Sequence, residues 1–239
     1  MHIINNLSKV CRQCLRQEPP DITMYDLGIM SDDQVLKIEC KFGHIEYTIV
    51  NQLKFEILSE FAVCAIVDGY YREAVMSFAS SLERLHEYYI SIICKTLKIN
   101  EIGFVESWKD IKNQSERQLG AFKFVFLLEE KISSAGLSNN KIEFRNKVVH
   151  KGFFPERAEA IDFGQSVADI TTTIISKLKA EKHEAAVREY FNIQKAEAAK
   201  KFSDAELMSG YSIETAFSMR EFSGNIDIKK IVSQRTLAS

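Results

Sequence analysis

The stretch YREAVMSFASSLERLHEYYISI, residues 71–92, decides the fold. Within it Tyr71, Val75, Phe78, Leu82, Leu85, Tyr89 and Ile92 recur at alternating steps of four and three. On a helix these positions share one side, so the stretch reads as a long helix whose apolar stripe other helices must cover. Helical signals continue in both directions. Upstream, Gln52 to Val67 reads as a helix stopped by Gly69, which can take the left-handed cap. Downstream, Ser115 with Gln118 forms a capping box ahead of Leu119, Phe122, Val125 and Phe126. Asn140 with Glu143 opens a short helix that Gly152 closes. Pro155 suits the first turn of another, along which Ile161, Val167, Ile170, Ile174 and Leu178 repeat near helical spacing. The expected fold class is mainly α, with a helical bundle over residues 51–179.

The two ends read differently. Residues 1–50 lack helical periodicity and carry Pro19 and Pro20. They close with Ile45, Tyr47 and Ile49 alternating with Glu46 and Thr48, the pattern of a half-buried strand, for which Val35 to Ile38 is the candidate partner. Residues 180–239 form a third region. The run Lys179 to Lys201, rich in Ala, Glu and Lys, is expected to extend as a polar helical arm, and the tail beyond Ser203 as a loop with one short helix.

Composition narrows the function. An apolar fraction of 46% and a charged fraction of 27% are those of a folded globular chain. No run of about 18 apolar residues is present to cross a bilayer, and Met1 to Val10 lacks the basic start and apolar core of a signal peptide, so a cytoplasmic protein without membrane partners is expected. A net charge of −2 excludes a general DNA-coating protein, because counterion release needs clustered Lys and Arg; a local basic groove for one structured RNA remains compatible with it. Five cysteines, an odd number, argue against a disulfide framework and for metal binding or free thiols. Cys64 and Cys94, in apolar helical stretches, read as buried thiols.

Two constellations carry chemistry. Cys11-Arg12-Gln13-Cys14 and Cys40-Lys41-Phe42-Gly43-His44 supply two pairs of soft ligands, the set a closed tetrahedral zinc site needs to hold together a segment too small for its own core. The segment resembles a zinc ribbon with His44 in place of one cysteine, although Leu15 stands where a knuckle often carries Gly. Four protein ligands leave no open position, so structural zinc is expected and no metal is expected in catalysis. Reduced cysteines at incidental spacing are the other reading.

The second constellation is Arg145-Asn146-Lys147-Val148-Val149-His150. Asn146 and His150 are four residues apart on one helical face, while Arg145 lies about 140° from His150, so only a flexible Arg side chain can join them at one phosphate. An imidazole moves protons near neutrality and a guanidinium grips a phosphoryl group. The same residues also read as a surface Arg and a capping His favoured by the helix dipole.

This stretch resembles the signature of the HEPN superfamily: Arg, a polar residue, then His after four to six intervening positions, met here by Arg145, Asn146 and His150. The similarity extends over roughly Phe55 to Leu178, including Ala74 to Glu83, which is similar to the family's early helix. The resemblance implies a HEPN-like bundle acting as a metal-independent RNA endonuclease, a toxin or antiviral defence effector, dimeric across the Arg145/His150 face. His150 would take the proton from a ribose 2′-hydroxyl or give one to the leaving 5′-oxygen, with the same histidine of a second copy for the complementary task. Arg145 would stabilise the phosphorane, Asn146 would orient His150 or the phosphate, and the products would carry 2′,3′-cyclic phosphate and 5′-hydroxyl ends. Lys147, Lys151 and Arg157 would hold neighbouring phosphates of a tRNA or mRNA, with Phe153 and Phe154 stacking on an unpaired base. Glu83, Arg84 and His86 are placed at the border of the same cleft, or on an exposed polar stripe. An antitoxin or defence partner is implied, yet the Tyr that often follows the His by two residues in members with a nucleotidyltransferase antitoxin is Gly152 here, which argues against control by that modification. The alternatives are a non-catalytic HEPN module that binds RNA or a protein, and a zinc-containing nucleic-acid sensor.

Overall fold

The computed structural model describes residues 2–134, 136–200, 207–222 and 224–238. In chain order it contains β1 (His2–Val10), α1 (Arg12–Leu15), β2 (Met24–Met30), β3 (Val35–Cys40), β4 (Ile45–Val50), α2 (Lys54–Val67), α3 (Tyr71–Thr96) and α4 (Glu101–Ile111). It continues with α5 (Ser115–Glu130), α6 (Asn139–His150), α7 (Arg157–Leu178), α8 (Glu184–Ala199), β5 (Leu207–Tyr211) and α9 (Ile228–Ala238). The protein is mainly helical with a small N-terminal sheet, and it divides into two compact units.

The first unit comprises Met1–Gln52 with Phe191–Ile213. Its sheet runs β1-β2-β3-β4-β5, with the first three pairings antiparallel and β5 parallel to β4. The expected pair is present, Val35 opposite Ile49 and Leu36 opposite Thr48. Burial of β4 differs from the expected half-buried pattern, because its polar face is covered as well as its apolar one. Glu46 and Thr48 are buried while Ile45 is exposed. The reason is that both faces of the strand are covered: Ile49 and Tyr47 pack with Val35, Ala198 and Ala199 on one side, and on the other the buried Glu46 is ion-paired to Arg12. An alternating strand is half-buried only when one face meets water.

The second unit comprises Leu53–Tyr190 with Glu214–Ser239. Helix α3 is its centre, packed against α2, α5, α6 and α7. Val75, Phe78, Leu82, Leu85, Tyr89 and Ile92 of the stripe are all buried, as are Ala74, Tyr88, Ile90 and Ile93 on flanking sides. A helix so enclosed needs close partners, and Gly164 of α7 provides one: a Cβ there would stand 2.6 Å from the ring of the fully buried Phe78. The segment returning toward α9 is fastened to α2 by Phe217 N–H donating to Ser59 Oγ at 3.0 Å and Met219 N–H donating to Glu56 Oε1 at 2.6 Å. Burial pushes the Glu56 carboxyl up to about 7, even though these backbone donors from Leu53 and Met219 favour its charged form.

Several local expectations are corrected. Ser115 is the first residue of α5 rather than its cap, and Gln118 is buried, donating to Lys112 O at 2.6 Å and accepting from Arg84 at 3.0 Å. Pro155 lies before the start of α7, whose N-cap is Glu156. Helix α4 was not foreseen, although Asn100 caps it by accepting from Gly103 N–H at 3.1 Å. Cys64 is exposed and Cys94 half-buried. Residues 180–239 do not stand apart: Phe191–Ile213 belongs to the sheet unit and Glu214–Ser239 to the helical unit. Lys201 and the start of the expected tail, residues 201–206, lie outside the described residues.

Gly164→Ala is expected to destabilise the protein by about 1–3 kcal/mol, the cost of overpacking a rigid contact. Urea unfolding measures it, and adding Phe78→Leu should recover part of the loss; equal stability of Gly164→Ala and wild type would refute the close approach of α3 and α7.

Candidate functional site

Two groups of side chains offer chemistry, one in each unit. In the sheet unit, Cys11 precedes the single helical turn α1, and Cys14 lies within it. The turn is closed by Leu15 N–H donating to Cys11 O at 3.1 Å, so Leu15 has helical geometry and needs no glycine. Cys40 ends β3, and the reversal to β4 runs through Gly43 at φ +79, with Gly43 N–H donating to Cys40 O at 2.8 Å. A left-handed residue at that point brings His44 back beside Cys40.

The result is a cluster of Cys11, Cys14, Cys40 and His44 whose ligand atoms all lie within 4.8 Å of one another. Zinc bonds of about 2.3 Å to sulfur and about 2.0–2.1 Å to nitrogen make tetrahedron edges of about 3.8 Å between sulfurs and about 3.5–3.6 Å between sulfur and nitrogen. The Cys14–Cys40 sulfurs stand 3.8 Å apart, and Cys11 and Cys40 Sγ each lie 3.6 Å from His44 Nδ1. These three edges match a four-coordinate metal, while Cys14 Sγ stands nearer to His44 Nδ1, at 3.2 Å, than a metal-bound pair would. The three cysteines are buried and His44 is half-buried. Burial alone would raise Cys11, but hydrogen bonds from the backbone and thiol of Cys14 hold it down to about 7, while burial and the neighbouring cysteines push Cys14 up to about 12. Thiols that cannot all ionise together unaided are the setting in which a cation is favoured.

In the helical unit, α6 ends at His150, with Gly152 at φ +68 and Phe153 N–H donating back to Lys147 O at 3.2 Å. Arg145 reaches across the angular gap expected on an ideal helix. Its Nη1 donates to Asn146 Oδ1 at 3.1 Å and lies 3.4 Å from His150 Nε2, while Nη2 donates to Glu83 Oε1 of α3 at 3.1 Å. A guanidinium has no acceptor, so the contact with His150 is a hydrogen bond only when Nε2 is unprotonated, the form able to receive a proton. Arg145 and Asn146 are half-buried and His150 is exposed, so the group opens to solvent.

The remaining expected residues are placed as follows. Lys147, Lys151 and Arg157 are exposed, Lys147 and Lys151 one turn apart on α6 and its C-cap, and Arg157 at the start of α7. Phe153 packs edge-on against Phe144 at 6.2 Å between centroids, whereas Phe154 is 82% exposed. Glu83 joins the Arg145 group; Arg84 does not, being ion-paired to Glu87. His86 is buried, stacked on Phe122 with 4.0 Å between centroids, and burial together with Lys123 drops it to about 3, so it is neutral.

Two features escaped the sequence. Beside Arg145 and Asn146 a cavity of about 190 Å³ opens between α3, α5 and α6. Its walls come from positions spread along the chain with no fixed spacing. Elsewhere, Glu129 and Glu130 approach the buried His183, but Lys182 and Lys177 already neutralise the two carboxylates, and this group reads as an ion-pair network.

No protein-family model, curated protein or solved structure matches the chain. Among the described residues no helix is long and apolar enough to cross a membrane.

Titration with Co²⁺ is expected to produce thiolate charge-transfer absorption at about one ion per chain. Cys14→Ser should weaken that binding by about tenfold or more. An unchanged spectrum on Co²⁺ addition would remove the cluster as a metal centre.

Proposed function

We propose that the protein is a metal-independent endoribonuclease of the HEPN type, working as a defence or toxin effector in the cytoplasm. One observation carries this reading: Arg145 Nη1 stands within reach of both Asn146 Oδ1 and His150 Nε2 at an open helix end, anchored by Glu83. A phosphodiester placed there meets a guanidinium, an amide and a proton acceptor together. His150 takes the 2′-hydroxyl proton as the 2′-oxygen attacks phosphorus; the bond to the 5′-oxygen breaks, and that oxygen receives a proton from the same histidine of a second copy. Arg145 answers the charge that develops on the phosphorane oxygens, and Asn146 keeps the guanidinium and imidazole aligned. Glu83 supports this by fixing the guanidinium plane, in the way outer carboxylates orient working side chains.

Because the nucleophile is the 2′-hydroxyl, RNA is the substrate and DNA is inert. Exposed Lys147, Lys151 and Arg157 supply the local positive charge that a chain of net charge −2 otherwise lacks, suiting a tRNA or mRNA held at one place. The exposed face bearing His150 is where a homodimer would bring two motifs together, and a restraining antitoxin or defence partner would cover the same face. The Cys11, Cys14, Cys40 and His44 cluster would hold structural zinc, leaving no coordination position for hydrolysis. The second reading, a non-catalytic module binding RNA or a protein, is favoured by the ion pair that already engages Arg145 with Glu83.

Purified protein incubated with total tRNA or a single-stranded RNA in EDTA is expected to leave 2′,3′-cyclic phosphate and 5′-hydroxyl ends. His150→Ala and Arg145→Ala should each slow cleavage by about 10²–10⁴-fold with the circular dichroism spectrum unchanged. Intact RNA with every protein, or equal cleavage by wild type and His150→Ala, refutes the assignment.

A further inference from the structure

The cavity next to Arg145 has a size and a lining that select its occupant. Most of its wall area is apolar, with Ala79, Leu82, Leu119 and Ile142 in it, and Glu83, Glu116, Arg145 and Asn146 line it as well. Its volume, about 190 Å³, falls below the roughly 300–1,000 Å³ of clefts that take whole drug-sized ligands. An apolar cavity of about 150 Å³ is known to hold one benzene ring. The space therefore fits a single flat ring system rather than a nucleotide entire.

One wall is polar. His86 is only 5% exposed and lines this cavity, so its ring faces the space an occupant would fill. It is stacked on Phe122 and neutral, so it presents one donor and one acceptor at a fixed place. Lys123 also lines the cavity, with its side chain reaching solvent. A heterocycle with polar edges and an apolar face answers the apolar wall and the His86 ring. A phosphate attached to it by a short linker reaches Arg145.

Resting on the nuclease reading for the phosphate site, we propose that this cavity is a base-binding subsite that takes one unpaired nucleobase of the RNA strand beside the phosphate held by Arg145. The enzyme thereby cuts unpaired RNA with a base preference set by His86. Paired RNA is excluded, since a base must leave its stack to enter.

The test separates this subsite from the cleavage step. A 2′-O-methyl oligonucleotide cannot be cut, so its binding reports occupancy alone. Wild-type protein is expected to bind it about tenfold more tightly than the same strand carrying one abasic position at the site. Leu119→Trp, which fills the cavity from a half-buried position, and His86→Phe should abolish that difference. With cleavable RNA, the same two variants should lose preference among the four bases at that position while retaining the cyclic phosphate product. Cleavage by wild type with no base preference and no abasic effect overturns the subsite and leaves the nuclease standing. Abasic discrimination without cleavage keeps the subsite and removes the nuclease. A free nucleoside monophosphate that binds more tightly than the oligonucleotide overturns the proposal in favour of a soluble effector. If both cavity variants unfold, the wild-type comparison with the abasic strand decides alone.

Discussion

Everything in the helical unit follows from the need to bury helix α3. Its apolar side chains do not occupy one stripe alone; Tyr88, Ile90 and Ile93 are as enclosed as Phe78 and Leu85. A helix of this kind must be surrounded, and α2, α5, α6 and α7 do so. The polar residues it carries are then trapped between neighbours, and each must find an answer. Ser81 donates to Phe55 O at 2.7 Å, Glu83 pairs with Arg145, and Arg84 is bound by Glu87 and Gln118. His86 is stacked on Phe122. The reactive group of α6 is thus positioned from the centre of the bundle, since the carboxylate that steadies its arginine sits on the best-buried element.

How much of this was legible depends on range. The periodicity of α3 declares itself because each apolar residue has a helical neighbour three or four positions away, and both the helix and its burial are as expected. The exit of α6 was readable from Gly152 in the left-handed region, whereas its start was not: the cap is Ser138 rather than Asn140. Helix α4 announces itself only through Asn100 at its start, since its apolar Ile102 and Val105 remain exposed and form no buried face. Strand β5 gave no local warning, since a parallel partner for β4 is recruited from more than a hundred and fifty positions away: Tyr47 lies opposite Leu207. The burial of the polar face of β4 was equally unannounced, for Arg12, the partner of Glu46, lies 34 positions upstream.

The two candidate sites were legible to different degrees. Cys11, Cys14, Cys40 and His44 were legible as a candidate ligand set from their spacing, because a tetrahedral cage requires ligands in close pairs and the chain offers few ways to build them. What the spacing withheld was the device, one helical turn in the first knuckle and a left-handed glycine in the second. For Arg145, Asn146 and His150 the spacing named the residues and left their meeting open. The side chains do meet, yet Glu83 lies 62 positions upstream of Arg145, and no periodicity links the two. Long-range partners of this sort are what a single sequence leaves unstated.

The sheet unit is assembled from two separate lengths of chain, and this has a consequence for how the protein is made. During synthesis β1 to β4 precede the helical bundle and β5 follows it. The edge of β4 then waits for β5 through the whole translation of the helical bundle. A half-finished chain exposes an unpaired strand edge, the kind of surface on which nascent chains join one another.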